Sequence, residues 1–95
     1  MTYPLLFSPM EINQLTVKNR LVMTPMGCGL ANEDGTITDE LIAYYEERAK
    51  GGAGLIYTEV ACVNTEHGRR ALRQIWLTDE VQLPMLRKLT AAIHK

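Results

Sequence analysis

Ninety-five residues, 46% hydrophobic and 22% charged, describe a globular chain with room for one small domain and rule out a disordered or fibrous polymer. A formal charge of -1 and a pI near 6.1 exclude the clustered positive field of a nucleic-acid or anionic-membrane binder. No run approaches the roughly 20 apolar residues that span a bilayer, and two cysteines, Cys28 and Cys62, make neither a disulfide framework nor a four-ligand metal site, which leaves free thiols.

The opening Met1-Thr2-Tyr3-Pro4-Leu5-Leu6-Phe7 has no basic start and no apolar run of signal-peptide length, so a cytoplasmic location is expected. Met10-Glu11-Ile12 and Leu15-Thr16-Val17 flank Asn13-Gln14, a turn-forming pair, and read as a small hairpin. Leu21-Val22-Met23-Thr24 is a compact apolar run ended by Pro25, which cannot donate to a ladder, and reads as a buried strand. A glycine-containing loop follows. Thr38, then Asp39 and Glu40, place a hydroxyl cap and two carboxylates where a helix start exposes amides, so a helix is predicted over residues 39–50. Leu41, Tyr44, Tyr45 and Ala49 form its buried stripe, Arg48 on the same side needs a partner or an exit to solvent, and Glu46 and Lys50 are spaced for a surface pair.

Gly51-Gly52-Ala53-Gly54 closes that helix through a left-handed cap. A phosphate-cradling glycine run follows a strand and opens a helix, so this cluster is a turn and not a nucleotide loop. Leu55-Ile56-Tyr57-Thr58-Glu59-Val60 has strand composition. A polar loop from residue 64 to about 73 holds Arg69, Arg70 and Arg73, read as a solvated cluster. After Ile75-Trp76-Leu77, the segment Thr78-Asp79-Glu80 signals another helix whose regular part begins near Pro84, with Met85, Leu86, Leu89, Ala92 and Ile93 as its apolar face. Strand, helix, strand, helix in this order predicts a parallel sheet with right-handed crossovers.

In parallel α/β folds the ligand site is built where chains leave the C-terminal ends of strands, here residues 24–30 and 59–73. Thr24-Pro25-Met26-Gly27-Cys28-Gly29 combines a rigid proline with glycines that admit close approach to the backbone, although a plain strand-end turn explains the same residues. Cys62 reads as a small buried hydrophobe, and His67 as an exposed loop side chain. His94 sits favourably at a helix C-terminus. Glu59 could in principle act as a base but has no visible partner.

Leu6-Phe7-Ser8-Pro9 followed by Val17-Lys18-Asn19-Arg20-Leu21-Val22-Met23-Thr24-Pro25-Met26 resembles the opening of old yellow enzyme family proteins and the related 2,4-dienoyl-CoA reductases. Tyr45, Arg48 and Ala49, the turn into Gly54-Leu55-Ile56, Glu59-Val60-Ala61, and Trp76 before Thr78-Asp79-Glu80 continue the likeness at matching spacing. The resemblance implies that residues 1–95 are one partial domain: a hairpin and about two β/α repeats at the N-terminal end of a (β/α)8 TIM barrel. It implies FMN at the C-terminal mouth, NAD(P)H as hydride donor, and an activated alkene or enoyl thioester as the small-molecule substrate. Thr24, Pro25, Met26 and Gly27 correspond to the strand end that lies against the flavin ring, and Val60 to a second flavin-contacting position where a smaller residue is usual. Some members carry a cysteine directly after Pro-Met; here Gly27 takes that place and Cys28 follows.

The family's flavin-phosphate site, substrate-anchoring pair, proton-donating tyrosine and, where present, iron-sulfur cysteines fall beyond residue 95, so no catalytic or metal-binding residue is assigned. Since a barrel takes about 250 residues, activity is expected only in a longer polypeptide. The alternative is a stand-alone α/β protein whose exposed sheet edge binds a partner or forms a homo-oligomer. The flavin reading requires the two parallel strands to finish side by side, with Pro25-Met26-Gly27 and Val60 on one rim.

Overall fold

The computed structural model of the chain describes residues 3–68, 73–78 and 80–94. The expectations for Arg69, Arg70 and Asp79 fall outside the described residues. Strands β1 (Met10–Ile12) and β2 (Leu15–Val17) form the expected antiparallel hairpin, with Met10 opposite Val17 and Ile12 opposite Leu15. Its turn holds Asn13 at φ 56°, a left-handed conformation that asparagine tolerates better than other residues with a Cβ.

Strand β3 (Val22–Met23) pairs in parallel with β4 (Leu55–Ile56), Val22 beside Leu55 and Met23 beside Ile56. Bonds at the ends lengthen the ladder: the Gly54 and Leu55 amides donate to Leu21 O at 2.9 and 3.2 Å, and the Tyr57 amide to Met23 O at 3.0 Å. Alternation then assigns the faces. Met23 and Ile56 pack on the core, while Val22 is exposed on the opposite side.

Between these strands runs α1 (Asp39–Lys50), with the bounds and cap expected from sequence. Thr38 Oγ1 accepts from the Leu41 amide at 3.0 Å and donates to Leu30 O at 2.5 Å, so the cap also fastens the incoming loop. The buried face is Leu41, Ile42 and Tyr45; Tyr44 and Ala49, expected in the stripe, are only half-buried, and Ile42 takes up the difference. Arg48 leaves that face by lying 3.8 Å over the Tyr44 ring and donating to Tyr44 O at 3.1 Å. Glu46 and Lys50 pair at 3.3 Å.

The helix ends at Lys50 with Gly51 as its C-cap, and the left-handed residue of the turn is the second glycine rather than the first. Gly51 remains right-handed at φ -69°, and Gly52 takes the positive angle, φ 111°. Asn19, 7% exposed, holds this turn against β3: its Nδ2 donates to Gly52 O at 2.6 Å and its Oδ1 accepts from the Leu21 amide at 3.0 Å.

The second strand departs from expectation. Instead of running to Val60 it stops at Ile56, and the chain re-enters a ladder only at β5 (Ala61–Cys62), which pairs in parallel with β6 (Ile75–Trp76). The physical reason is the Glu59 amide, which donates to the Tyr45 hydroxyl at 2.7 Å rather than to a neighbouring strand. Helix α2 (Leu83–Ile93) follows a 3-10 turn at Glu80–Gln82 and carries Pro84 in its first turn, where no helical amide bond is lost. Its expected apolar face packs on α1, with Leu89 fully buried, and Lys88 reaches Asp39 at 2.9 Å.

The core gathers Ala31, Ile37, Leu41, Ile42, Tyr45, Ile75 and Leu89 between the helices and the strands. Burial of each large aliphatic side chain there contributes roughly 1.5–3 kcal/mol. Among the described residues, no helix is long and apolar enough to cross a membrane.

Candidate cofactor site

Because β3 and β4 are parallel neighbours, the segments leaving their C-terminal ends emerge together. They line one cleft of about 640 Å3 through Pro25, Met26, Gly27 and Gly29 on one side and Glu59 and Val60 on the other. Met26 is 56% and Val60 48% exposed, so both offer apolar surface to whatever enters. A Cβ built on Gly27 would meet nothing within 4 Å, which leaves that backbone open to close approach. Thr24 is exposed but does not line the cleft. The structure thus brings together four of the five residues singled out from sequence. The exposed apolar side chains of Met26 and Val60 and the open backbone at Gly27 leave room for one edge of a ring system such as that of FMN, and the volume lies in the usual range for small-molecule pockets.

Glu59 is the residue whose place the sequence did not reveal. Expected to lack a partner, it is 3% exposed, and its carboxylate and amide make three hydrogen bonds. Its Oε2 accepts from the Cys28 amide at 3.0 Å and from the Cys28 thiol at 3.2 Å, while its own amide donates to Tyr45. Its Oε1 is buried with no hydrogen-bond partner among the described residues. A charged side chain inside a strand-like apolar run was the available signal, since glutamate is almost never fully buried unless paired.

The two neighbours of Glu59 titrate accordingly. Burial pushes the Cys28 thiol up from its ordinary value, and the hydrogen bond to Glu59 and its charge push the same way. Burial also raises the Tyr45 phenol to about 12, against an opposing hydrogen bond from the Glu59 amide. Cys62 is the buried hydrophobe expected, its thiol donating to Asn64 O at 3.2 Å, and both cysteines are free. His67 is exposed beside Glu66, and His94 ends α2. Arg73 is exposed near Glu33 at 3.9 Å.

A second cleft of about 560 Å3, lined by Leu15, Val17, Ala53, Leu55, Leu89 and Ile93 among others, includes the residues that lead into β4. The start of a strand is the stability end of a parallel fold rather than its ligand end.

A hairpin, a parallel β-α-β unit and a cleft at the strands' C-terminal ends define the N-terminal piece of a (β/α)8 barrel. Residues 5–95 match the model of the NADH:flavin oxidoreductase / NADH oxidase family. The chain belongs to that family. It is 41% identical over 92 residues to an NADH oxidase of Thermoanaerobacter brockii, covering 97% of this chain and 14% of that protein. It is 40% identical over 90 residues to an NADPH dehydrogenase of Listeria monocytogenes, covering 94% and 26%. The old yellow enzyme of Trypanosoma cruzi superposes with a TM-score of 0.87 at 32% identity, over 99% of this chain and 25% of that one. A 2-naphthoyl-CoA reductase in complex with 2-naphthoyl-CoA gives a TM-score of 0.90 at 32% identity, over 95% and 14%. The chain therefore spans between 14% and 26% of the length of these proteins.

Proposed function

We propose that this chain provides the first rim of an FMN site in an NAD(P)H-dependent oxidoreductase, with Pro25, Met26, Gly27 and Val60 against one edge of the flavin ring and Thr24 adjoining them through its backbone. The observation that carries the reading is the convergence of Pro25, Met26, Gly27 and Val60 on one cleft at the ends of two parallel strands. When bound, FMN supplies the relay of hydride from nicotinamide to an activated alkene or enoyl thioester. The residues here exclude water from one ring face with Met26 and Val60, and the proline-fixed backbone at Pro25 and Gly27 orients its dipoles without mobile side chains. Val60 is bulkier than the small residue usual at its place and brings apolar surface closer to the ring.

The test replaces the aligned segment of the Listeria NADPH dehydrogenase with residues 5–95 of this chain. The folded chimera is expected to purify with stoichiometric FMN and to oxidise NADPH, whereas the 95-residue chain alone shows no saturable FMN binding at micromolar concentration. A chimera with native-like circular dichroism that takes up no FMN refutes the proposal.

A second reading has its own support. Val22 and Tyr57 are 49% and 51% exposed on the strand face turned from the helices, a surface that self-association would cover. Sedimentation of the chain as a stable dimer without flavin would favour it.

A further inference from the structure

Glu59 is the most unusual group in the cleft outside the proposed flavin contacts. Its carboxylate is almost completely buried, one oxygen accepts hydrogen bonds from both the amide and the thiol of Cys28, and the other has no partner among the described residues. A buried carboxylate oxygen left without a donor is costly, and a carboxylate kept only for packing would have both oxygens satisfied. Its position is equally specific. Glu59 lines the same cleft as Pro25, Met26 and Gly27, and its Oε2 holds the residue directly after them.

We propose that Glu59 is a positioning residue of the cleft: Oε2 clamps the Pro25-Met26-Gly27 rim through the amide and thiol of Cys28, and Oε1 accepts a hydrogen bond from an N–H or O–H of the molecule held there. The clamp joins three elements. The Cys28 segment leaves β3, Glu59 follows β4, and the Glu59 amide is held by Tyr45 of α1. The rim is thereby fixed to the helix core rather than hanging from the strand end, which is what a contact between backbone and a planar ring requires. Cys28 is the group held and not a reactive thiol, since the hydrogen bond its S–H donates to Glu59 keeps the proton on sulfur and disfavours the thiolate. The groups facing it are the Glu59 carboxylate and, behind that, the Tyr45 phenol.

The second half of this proposal rests on the flavin reading; the clamp does not, and the two are tested apart. In the full 95-residue chain, iodoacetamide labelling of Cys28 is followed against pH by mass spectrometry, with buried Cys62 as the internal report on the fold. Glu59→Gln, similar in shape but uncharged, is expected to lower the midpoint of the Cys28 profile and to raise its labelling rate at pH 8 about tenfold, the effect of one pKa unit, while Cys62 stays protected. An unchanged Cys28 profile overturns the clamp. If both thiols label faster because the variant has opened, Glu59→Asp and the parent profile decide: a parent midpoint at or below the ordinary thiol value overturns the clamp, and one above it, restored in part by aspartate, supports it.

In the Listeria chimera, Glu59→Gln is expected to weaken FMN binding about tenfold, and to raise the flavin midpoint potential because a negative charge beside the ring is lost. Unchanged affinity and potential overturn the role of Oε1. If the parent chimera binds no FMN, the flavin reading falls and with it the cofactor as the donor for Oε1, while the clamp stands or falls on the thiol profile.

Discussion

Tyr45→Phe isolates a single hydrogen bond in the core. The ring is fully buried, and phenylalanine retains it, so the packing of α1 against the strands is preserved. What goes is the hydroxyl that accepts the Glu59 amide at 2.7 Å. That amide belongs to a residue 3% exposed and makes no ladder bond, so its loss of an acceptor should cost about 1–3 kcal/mol. With a urea dependence of about 1 kcal/mol/M for a protein of this size, the unfolding midpoint should fall by about 1–3 M. The Glu59 amide should also lose its hydrogen-exchange protection ahead of the amides of α1. Tyr44→Phe, in a half-buried ring on the same helix, is the control and should change stability by less than about 0.5 kcal/mol, a midpoint shift under about 0.5 M. An unshifted midpoint for Tyr45→Phe, with Glu59 still protected, would falsify the account of why the second strand breaks. The same residue gives a pH signature. A phenol raised from 10.0 to about 12 holds its proton more tightly in the folded state, so its contribution is complete below pH 10 and disappears as pH rises toward 12. Stability should therefore fall more steeply over that window in the parent than in Tyr45→Phe.

Three further substitutions test other joints of the fold by urea denaturation. Gly35→Ala places a Cβ against the Trp76 ring at a residue with φ 82°, and should cost about 2–5 kcal/mol from overpacking and backbone strain together; a cost below about 1 kcal/mol would mean that the Trp76 ring yields freely. Thr38→Ala removes the cap on Leu41 and the bond to Leu30 O, and should cost about 1–2 kcal/mol, with fraying visible as faster exchange in the first turn of α1. Lys88→Ala breaks an exposed ion pair with Asp39 and should change stability by no more than about 1 kcal/mol despite its 2.9 Å separation.

The elements legible in sequence were those fixed by local chemistry. Thr38 before Asp39 and Glu40 located the start of α1 because the cap and the first-turn charges act within four residues. Asn13 located the hairpin, and Pro84 the first turn of α2, for equally local reasons. Residues 55–60 misled because composition records what a segment tolerates as a strand, not which acceptor its amides find. The acceptor for Glu59 is a phenol fourteen positions earlier, on a helix whose register is set by its own buried face. Asn19 escaped notice likewise: its two bonds reach Gly52 and Leu21, and only the first spans enough sequence to shape the fold.

The cleft was half legible, and the division follows the same boundary. Pro25, Met26 and Gly27 follow a recognisable strand end, and the parallel order of the elements brings Val60 beside them. Glu59 could not be placed, since its burial depends on Cys28 and Tyr45 arriving from two other elements. This also explains how a strand can stop short without losing its aim. Past Tyr57, whose amide still bonds Met23 O, the Glu59 amide is held by the Tyr45 hydroxyl of α1 in place of a sheet neighbour, and the Glu59 carboxylate holds Cys28 of the loop after β3, so Val60 follows a fixed residue into the cleft. Val22 and Tyr57, left exposed on the opposite face, are the side chains that a closed barrel would pack in its interior. The rim thus owes its shape to contacts already complete in this chain, and the strand face beneath it owes its exposure to strands the chain does not contain.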